Sequence, residues 1–176
     1  MDSALSRIGA TVAQEFSDLP DLESATRIVL RLTLAALLGG LLGIEREAKG
    51  KAAGVRTHML VAMGAAMFVL ASQQFGIDPA DMSRVLQGVI AGVGFLGAGT
   101  ILKGDAESQV KGLTTAAGIW MTAAIGVAAG MGKESTAILA TLLTLAIMAS
   151  LPLFARLFER PGEEDRRIVR PDERRP

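Results

Sequence analysis

The chain has 176 residues, half of them apolar, and its 18 cations balance 18 carboxylates at a positive mean hydropathy. That size and composition suit one compact multi-span membrane domain and leave no room for a second folded one. With no cysteine and a single histidine, disulfides, thiol nucleophiles, iron-sulfur ligation and ordinary zinc sites are excluded, and no phosphate-loop, dinucleotide or serine-hydrolase motif is present.

Residues 1–23 begin polar, with Leu5, Ile8, Val12 and Phe16 at helical spacing, which predicts either an amphipathic surface helix or a frayed segment. Met1 is followed by Asp2 and no apolar core begins before residue 28, so no cleavable signal peptide is expected. A first span is predicted from Arg27 to Ile44, with Arg31 one turn inside it, snorkelling to headgroups or lining a pathway. The polar connection GLLGIEREAKGKAAGVRTH leads to a second span, Met59 to Phe75, and Gly76 to Pro79 ends it, with Asp78 and Pro79 placed to start the next helix.

The third span, Val85 to Lys103, contains GVIAGVGFLGAGT from Gly88 to Thr100. Five glycines here would destabilise a helix in water, but in a bilayer the backbone stays helical and small residues let helices approach closely. Gly88, Gly92 and Gly99 fall within about 40° of one another on a helical projection, so this span is expected to be the packing centre of the bundle. A loop through Lys111 precedes a fourth span, Leu113 to Met131, which holds the single Trp120 in mid-span; the indole is expected to face protein and fill the gap left by facing glycines. Gly132 should stop that span, Ser135 should cap the fifth, and Pro152 should kink or end it. The prediction is an all-α membrane protein of five spans over residues 24–160.

Cations set the orientation. Thirteen lie in the first loop, the third loop and the tail, against four on the opposite side, with Arg31 inside a span. The positive-inside rule then puts the N-terminus outside and the C-terminus in the cytoplasm. The chain also matches itself at an offset of 54 residues, with ten identities in forty between 31–70 and 85–124, about twice what the composition would supply by chance. This suggests two hairpins of one orientation, spans 1–2 and 3–4, with sites where they meet.

Two polar clusters stand at the predicted cytoplasmic edge. Glu45, Arg46 and Glu47 close the first span, and Arg56, Thr57 and His58 open the second. Such charges either fix orientation by pairing with one another, or the two carboxylates hold a hydrated magnesium ion, which prefers oxygen ligands. His58 reads as a cap or headgroup contact. Lys111, Thr114 and Thr115 open the fourth span, where threonines act as N-caps or interhelical donors.

The segments GGLLGIERE, AGVRTHMLVAMGAA, GVIAGVGFLGAGTILK and VKGLTTAAGIWMTAAIGVAAG, in that order over residues 28–132, resemble the membrane domain of the MgtC/SapB family. The resemblance implies a bacterial inner-membrane protein tied to adaptation to low magnesium and, in pathogens, to survival inside host cells. It places the family's characteristic residues at Glu45, Arg46, Glu47, Arg56, Thr57, His58, Gly92, Gly94, Gly97, Gly99, Lys111, Thr114, Thr115 and Trp120. Longer members carry a folded cytoplasmic domain after the last span, whereas Pro161 to Pro176 holds five acids, five arginines and three prolines and reads as a disordered tail. No cofactor and no enzymatic activity are expected. The expected role is binding or regulating membrane partners or forming a homo-oligomer, with transport of magnesium or another small solute as the alternative; Arg31, Gln87, Thr100, Thr114 and Thr115 are the candidates to line a path.

Overall fold

The computed structural model describes residues 2–17, 21–103 and 110–158, and the predicted charged tail lies outside these residues. They form helices α1 (Asp2–Glu15), α2 (Leu22–Ala48), α3 (Val55–Gln74), α4 (Pro79–Gly99), α5 (Leu113–Gly130) and α6 (Glu134–Phe158). Between α4 and α5, the short strands β1 (Leu102–Lys103) and β2 (Val110–Lys111) pair antiparallel, Leu102 opposite Lys111. The four helices α2 to α5 are each long and apolar enough to cross a membrane, and α6 is apolar over Glu134–Ser150. The protein is an all-helical, multi-pass membrane protein, as its hydropathy predicts.

Local chemistry explains most helix ends. Asp21 caps α2 by accepting the Ser24 backbone N–H at 2.6 Å, and that bond holds its carboxyl below the usual carboxylate range. Pro79 is the first residue of α4, although Asp78 makes no side-chain cap bond. Gly132 follows α5 with φ of +74°, the left-handed position that ends helices, as its sequence position predicts. α5 starts differently from the prediction. Its N-cap is Gly112, at φ +96°, with no side-chain cap from either threonine; a Cβ there would collide with the Thr100 carbonyl oxygen. α6 begins at Glu134, so Ser135 is already inside it, and it continues through Pro152 to Phe158. In α1, Leu5, Ile8, Val12 and the following Phe16 are all exposed.

The packing centre is α5, not the glycine-rich α4. α5 contacts α2, α3, α4 and α6, whereas α4 leans mainly on α5 and, less, on α3. The closest approaches are made by two glycine pairs spaced four apart. A Cβ at Gly39 of α2 would come within 2.5 Å of the His58 carbonyl oxygen and at Gly43 within 2.5 Å of the Val55 Cα. On α5, a Cβ at Gly126 would collide with the Ala62 carbonyl oxygen, and one at Gly130 would lie 2.6 Å from that of Ala66. α3 is gripped by both helices at backbone distance, and Ala62 is completely buried. In α4, by contrast, Cβ atoms at Gly88, Gly92, Gly94 and Gly99 would meet nothing within 4 Å, and only Gly97 packs, against Ala116. The expectation for α4 fails because a glycine stripe makes close approach available without determining which helix uses it.

Arg31 does not snorkel to headgroups. Its guanidinium turns inward, donating to the Gln73 side-chain oxygen at 3.0 Å and the Gly130 carbonyl at 3.1 Å, with Glu134 at 3.7 Å. It therefore ties α2 to the ends of α3 and α5 and the start of α6, and adds positive charge at the C-terminus of α5, where the helix dipole favours it. The 54-residue offset carries α2 and α3 onto α4 and α5 with ends agreeing within four residues. The two hairpins nevertheless pack differently, the first at backbone contact through Gly39 and Gly43, the second through side chains, Val89 and Val93 of α4 against Ile119 and Ala123 of α5, with Gly97 against Ala116.

Replacing Gly126 with alanine should lower the stability of the detergent-solubilised protein by about 1–3 kcal/mol through overpacking against Ala62. Gly92→Ala should leave the melting temperature unchanged or raise it, since alanine is the better helix former and space is open. Equal melting of the two variants would contradict the glycine grip.

Candidate functional site

The polar residues at the α2–α3 edge come together as their spacing predicts, although most bind protein. Glu47 reaches across the turn, and its Oε2 accepts the Val55 N–H at 2.9 Å. It thereby caps α3, whose own N-cap, Gly54, has no side chain. A Cβ at Gly54 would press on the Glu47 carboxylate, the movable end of that side chain, so a larger residue there would displace the cap. Glu45 contacts Lys49 through Oε1 and Arg46 through Oε2 at 3.5 Å. The two carboxylates thus turn to different partners, and among the described residues no group of three His, Asp or Glu side chains could hold a metal ion.

His58 is not a headgroup contact. It is fully buried, its Nδ1 lies 3.0 Å from the Gly54 carbonyl oxygen, and that oxygen also accepts the His58 backbone N–H at 3.2 Å. Nδ1 therefore carries the proton in the neutral ring, which leaves Nε2 as a bare acceptor with no partner among the described residues. Nε2 stands behind Gly118 of α5, 3.6 Å from where a Cβ would be. Arg56 and Thr57 point outward on the same turn.

Arg46 is only 5 % exposed, an unusual position for a cation at a membrane edge. Its guanidinium donates to Thr114 Oγ1 at 3.4 Å and touches Glu45 at 3.5 Å, both long, and its Nε has no partner. Thr114 serves α5 as an acceptor for Arg46 and not as a cap, while Thr115 beside it is buried. Lys111 is exposed on β2. Trp120, expected to face protein, is 51 % exposed and lies in a shallow apolar groove between α4 and α5 with Leu86, Ile90 and Ala124. Lipid is as apolar as a protein interior, so the indole has no hydrophobic reason to turn inward. Gly92, Gly94 and Gly99 lie on α4 away from this edge cluster, and Gly97 faces Ala116.

Lys49 did not stand out in the sequence, yet it links two helices. Its Nζ pairs with Glu45 and donates to the Met148 carbonyl of α6 at 2.9 Å. Met148 lies four residues before Pro152, and proline has no N–H to give to that carbonyl. The proline that was expected to end the helix frees an acceptor, and Lys49 takes it. A double-mutant cycle checks this. Lys49→Met should cost stability in the parent and less in a Pro152→Ala background, where the main-chain N–H can bond Met148, with a coupling of about 0.5–1 kcal/mol. Additive effects on thermal unfolding would contradict the link.

Comparison with known proteins agrees with this architecture. The chain is 42 % identical over 130 residues to YhiD of Escherichia coli O157:H7, covering 68 % of this chain and 58 % of that one. It is 43 % identical over 138 residues to SrpB of Synechococcus elongatus, covering 72 % and 76 %, and 43 % identical over 117 residues to MgtC of Salmonella typhimurium, covering 66 % and 49 %. It therefore spans only about half the length of MgtC and somewhat more of YhiD. No solved structure matches it. The model of the MgtC family matches residues 32–157, from the third turn of α2 to the last turn of α6, and the chain belongs to that family.

Proposed function

We propose that this chain acts by binding a transmembrane segment of a partner protein on the open face of α4, and that it spans the membrane five times with its N-terminus outside. The observation that carries the reading is the unused glycine pair Gly88 and Gly92, four residues apart like the two pairs that grip α3, yet with nothing within 4 Å. Together with Gly64 of α3 they line an apolar cleft of about 610 Å³ walled by Leu60, Phe68, Val85 and Leu96. A smooth glycine surface flanked by large apolar side chains is the form in which membrane helices dock. A homo-oligomer through the same face is the variant of this reading in which the partner is a second copy.

The relatives supply the physiological setting. The YhiD protein of Escherichia coli K12 is named, provisionally, a magnesium transporter, and the family resemblance ties such chains to low-magnesium adaptation. We place this chain in that response as a regulator and not as the conduit. The α3–α4 cleft is apolar, and Arg31, one of the few charges available to line a path, is committed to Gln73 and Gly130. The buried hydroxyls of Thr122, Thr141 and Thr144 turn back to carbonyls of their own helices. We infer no enzymatic step: the chain has no cysteine, and His58 is sealed inside the bundle.

In a strain lacking its own copy, Gly92→Leu should abolish the support of growth at low magnesium while the purified variant melts like the parent, and Ala91→Leu, at an exposed α4 position outside the cleft, should retain both. Sustained, selective magnesium flux through the purified protein in liposomes would overturn the proposal. Single cysteines at Ser6, Lys51 and Ala80 check the orientation: an impermeant thiol reagent added outside should label the first and third and spare the second.

A further inference from the structure

A cleft of about 850 Å³ opens between α5 and α6 beneath the α2–α3 turn. Its mouth carries Arg46, Lys49 and Lys51, with Thr114 beside them, and no carboxylate lines it. Below the mouth the walls are apolar: Ala117, Gly118 and Met121 from α5 face Ala140, Leu143 and Ile147 from α6. Leu143 and Ile147 are more than half exposed, so the cleft opens sideways, toward the acyl region for a protein in a bilayer. We propose that this cleft is a binding site for one anionic phospholipid, its phosphate at Arg46 and Lys51 and one acyl chain laid between α5 and α6.

Three features point to that occupant. The first is charge: Arg46, Lys49 and Lys51 stand at the end of an otherwise apolar groove, and Glu45, which touches the first two, offsets only one of the three charges, which matches an amphiphile with an anionic head and neither a free anion nor an apolar partner helix. The second is the state of Arg46. A guanidinium has five donors, and a buried one is costly unless they are satisfied; here the side chain makes two long contacts and its Nε makes none. A phosphate oxygen at the mouth would give the two terminal nitrogens of the guanidinium, each held now by one long contact, a closer acceptor, and Arg suits that geometry. The third is Lys51. Its backbone N–H is bonded to the Arg46 carbonyl at 3.0 Å, which fixes it beside the mouth, and no carboxylate among the described residues pairs with its ammonium. From Thr114 to Met121 α5 rises by about 10 Å, enough to accompany the upper part of an acyl chain.

The site is separate from the α4 face, and its test does not depend on the partner-binding proposal. The full chain, purified in detergent and stripped of lipid, is titrated with phosphatidylglycerol and with phosphatidylcholine of the same acyl chains, and bound lipid is read by native mass spectrometry. One phosphatidylglycerol should be retained in preference to phosphatidylcholine. Lys51→Gln, at an exposed position, should weaken that binding about fivefold. Ala117→Phe, which fills the groove without touching a charge, should weaken it as well, while the melting temperature of both variants without lipid stays at the parent's. Equal retention of the two lipids would overturn the site, as would parent-like binding by both variants. So would competition by inorganic phosphate as effective as by the lipid, which would leave the groove without a role. A dimer that closes over the groove and is abolished by Ala117→Phe would assign the surface to a second copy and reject the lipid.

Discussion

Backbone contact at Ala62 is the constraint on which the rest of the bundle depends. Gly39 and Gly43 bring α2 against α3, and Gly126 and Gly130 bring α5 against it, each at a distance no side chain could occupy. In lipid there is no hydrophobic gain from hiding one apolar surface against another, so van der Waals contact between closely packed backbones has to supply the association. Once α3 is held this way, the other helices have limited choices. α6 lies on the far side of α2 and α5, and α4 has only the outer flank of α5 and α3 to lean on.

Charge then secures the ends of what glycine packs in the middle. Three cations of α2 and its C-cap turn inward to serve other helices: Arg31, in the third turn, collects α3, α5 and α6, while Arg46 and Lys49, at the C-terminal end, collect α5 and α6. In both places the acceptors include groups left over by helix geometry, the terminal carbonyl of α5 at Gly130 and the proline-freed carbonyl of Met148. The loop between α2 and α3 follows the same economy, since Glu47 caps a helix that begins with glycine. Residues that look like a charged cluster in the sequence thus divide into structural connectors, Glu45, Glu47 and Lys49, and one under-satisfied cation, Arg46.

The two proposed binding surfaces arise where this packing leaves something unused. On α4 it is backbone access, because Gly88 and Gly92 have the spacing of the gripping pairs but face open space. Between α5 and α6 it is charge, because Arg46 is buried without a full set of acceptors above an apolar groove. Neither surface provides a continuous polar path through the bundle, which is why contact, with a protein helix or a lipid, explains them better than conduction.

Composition and hydropathy alone determined that the chain is helical and membrane-bound, because a bilayer accepts few backbone solutions, and Pro79 and Gly132 marked the start of α4 and the end of α5 through their own φ preferences. Proximity in the chain also brought Glu45 to Glu47 within reach of the start of α3, since a short turn leaves no other arrangement. The identity of the central helix was not legible. Glycine pairs spaced by four occur on α2, α4 and α5, and lipid-facing and protein-facing surfaces are equally apolar, so periodicity carries no sign of which pair is used. The partners of Arg31, Arg46 and Lys49 were hidden for a related reason: each reaches an acceptor on a helix distant in the chain, at an end whose position only the packed bundle decides.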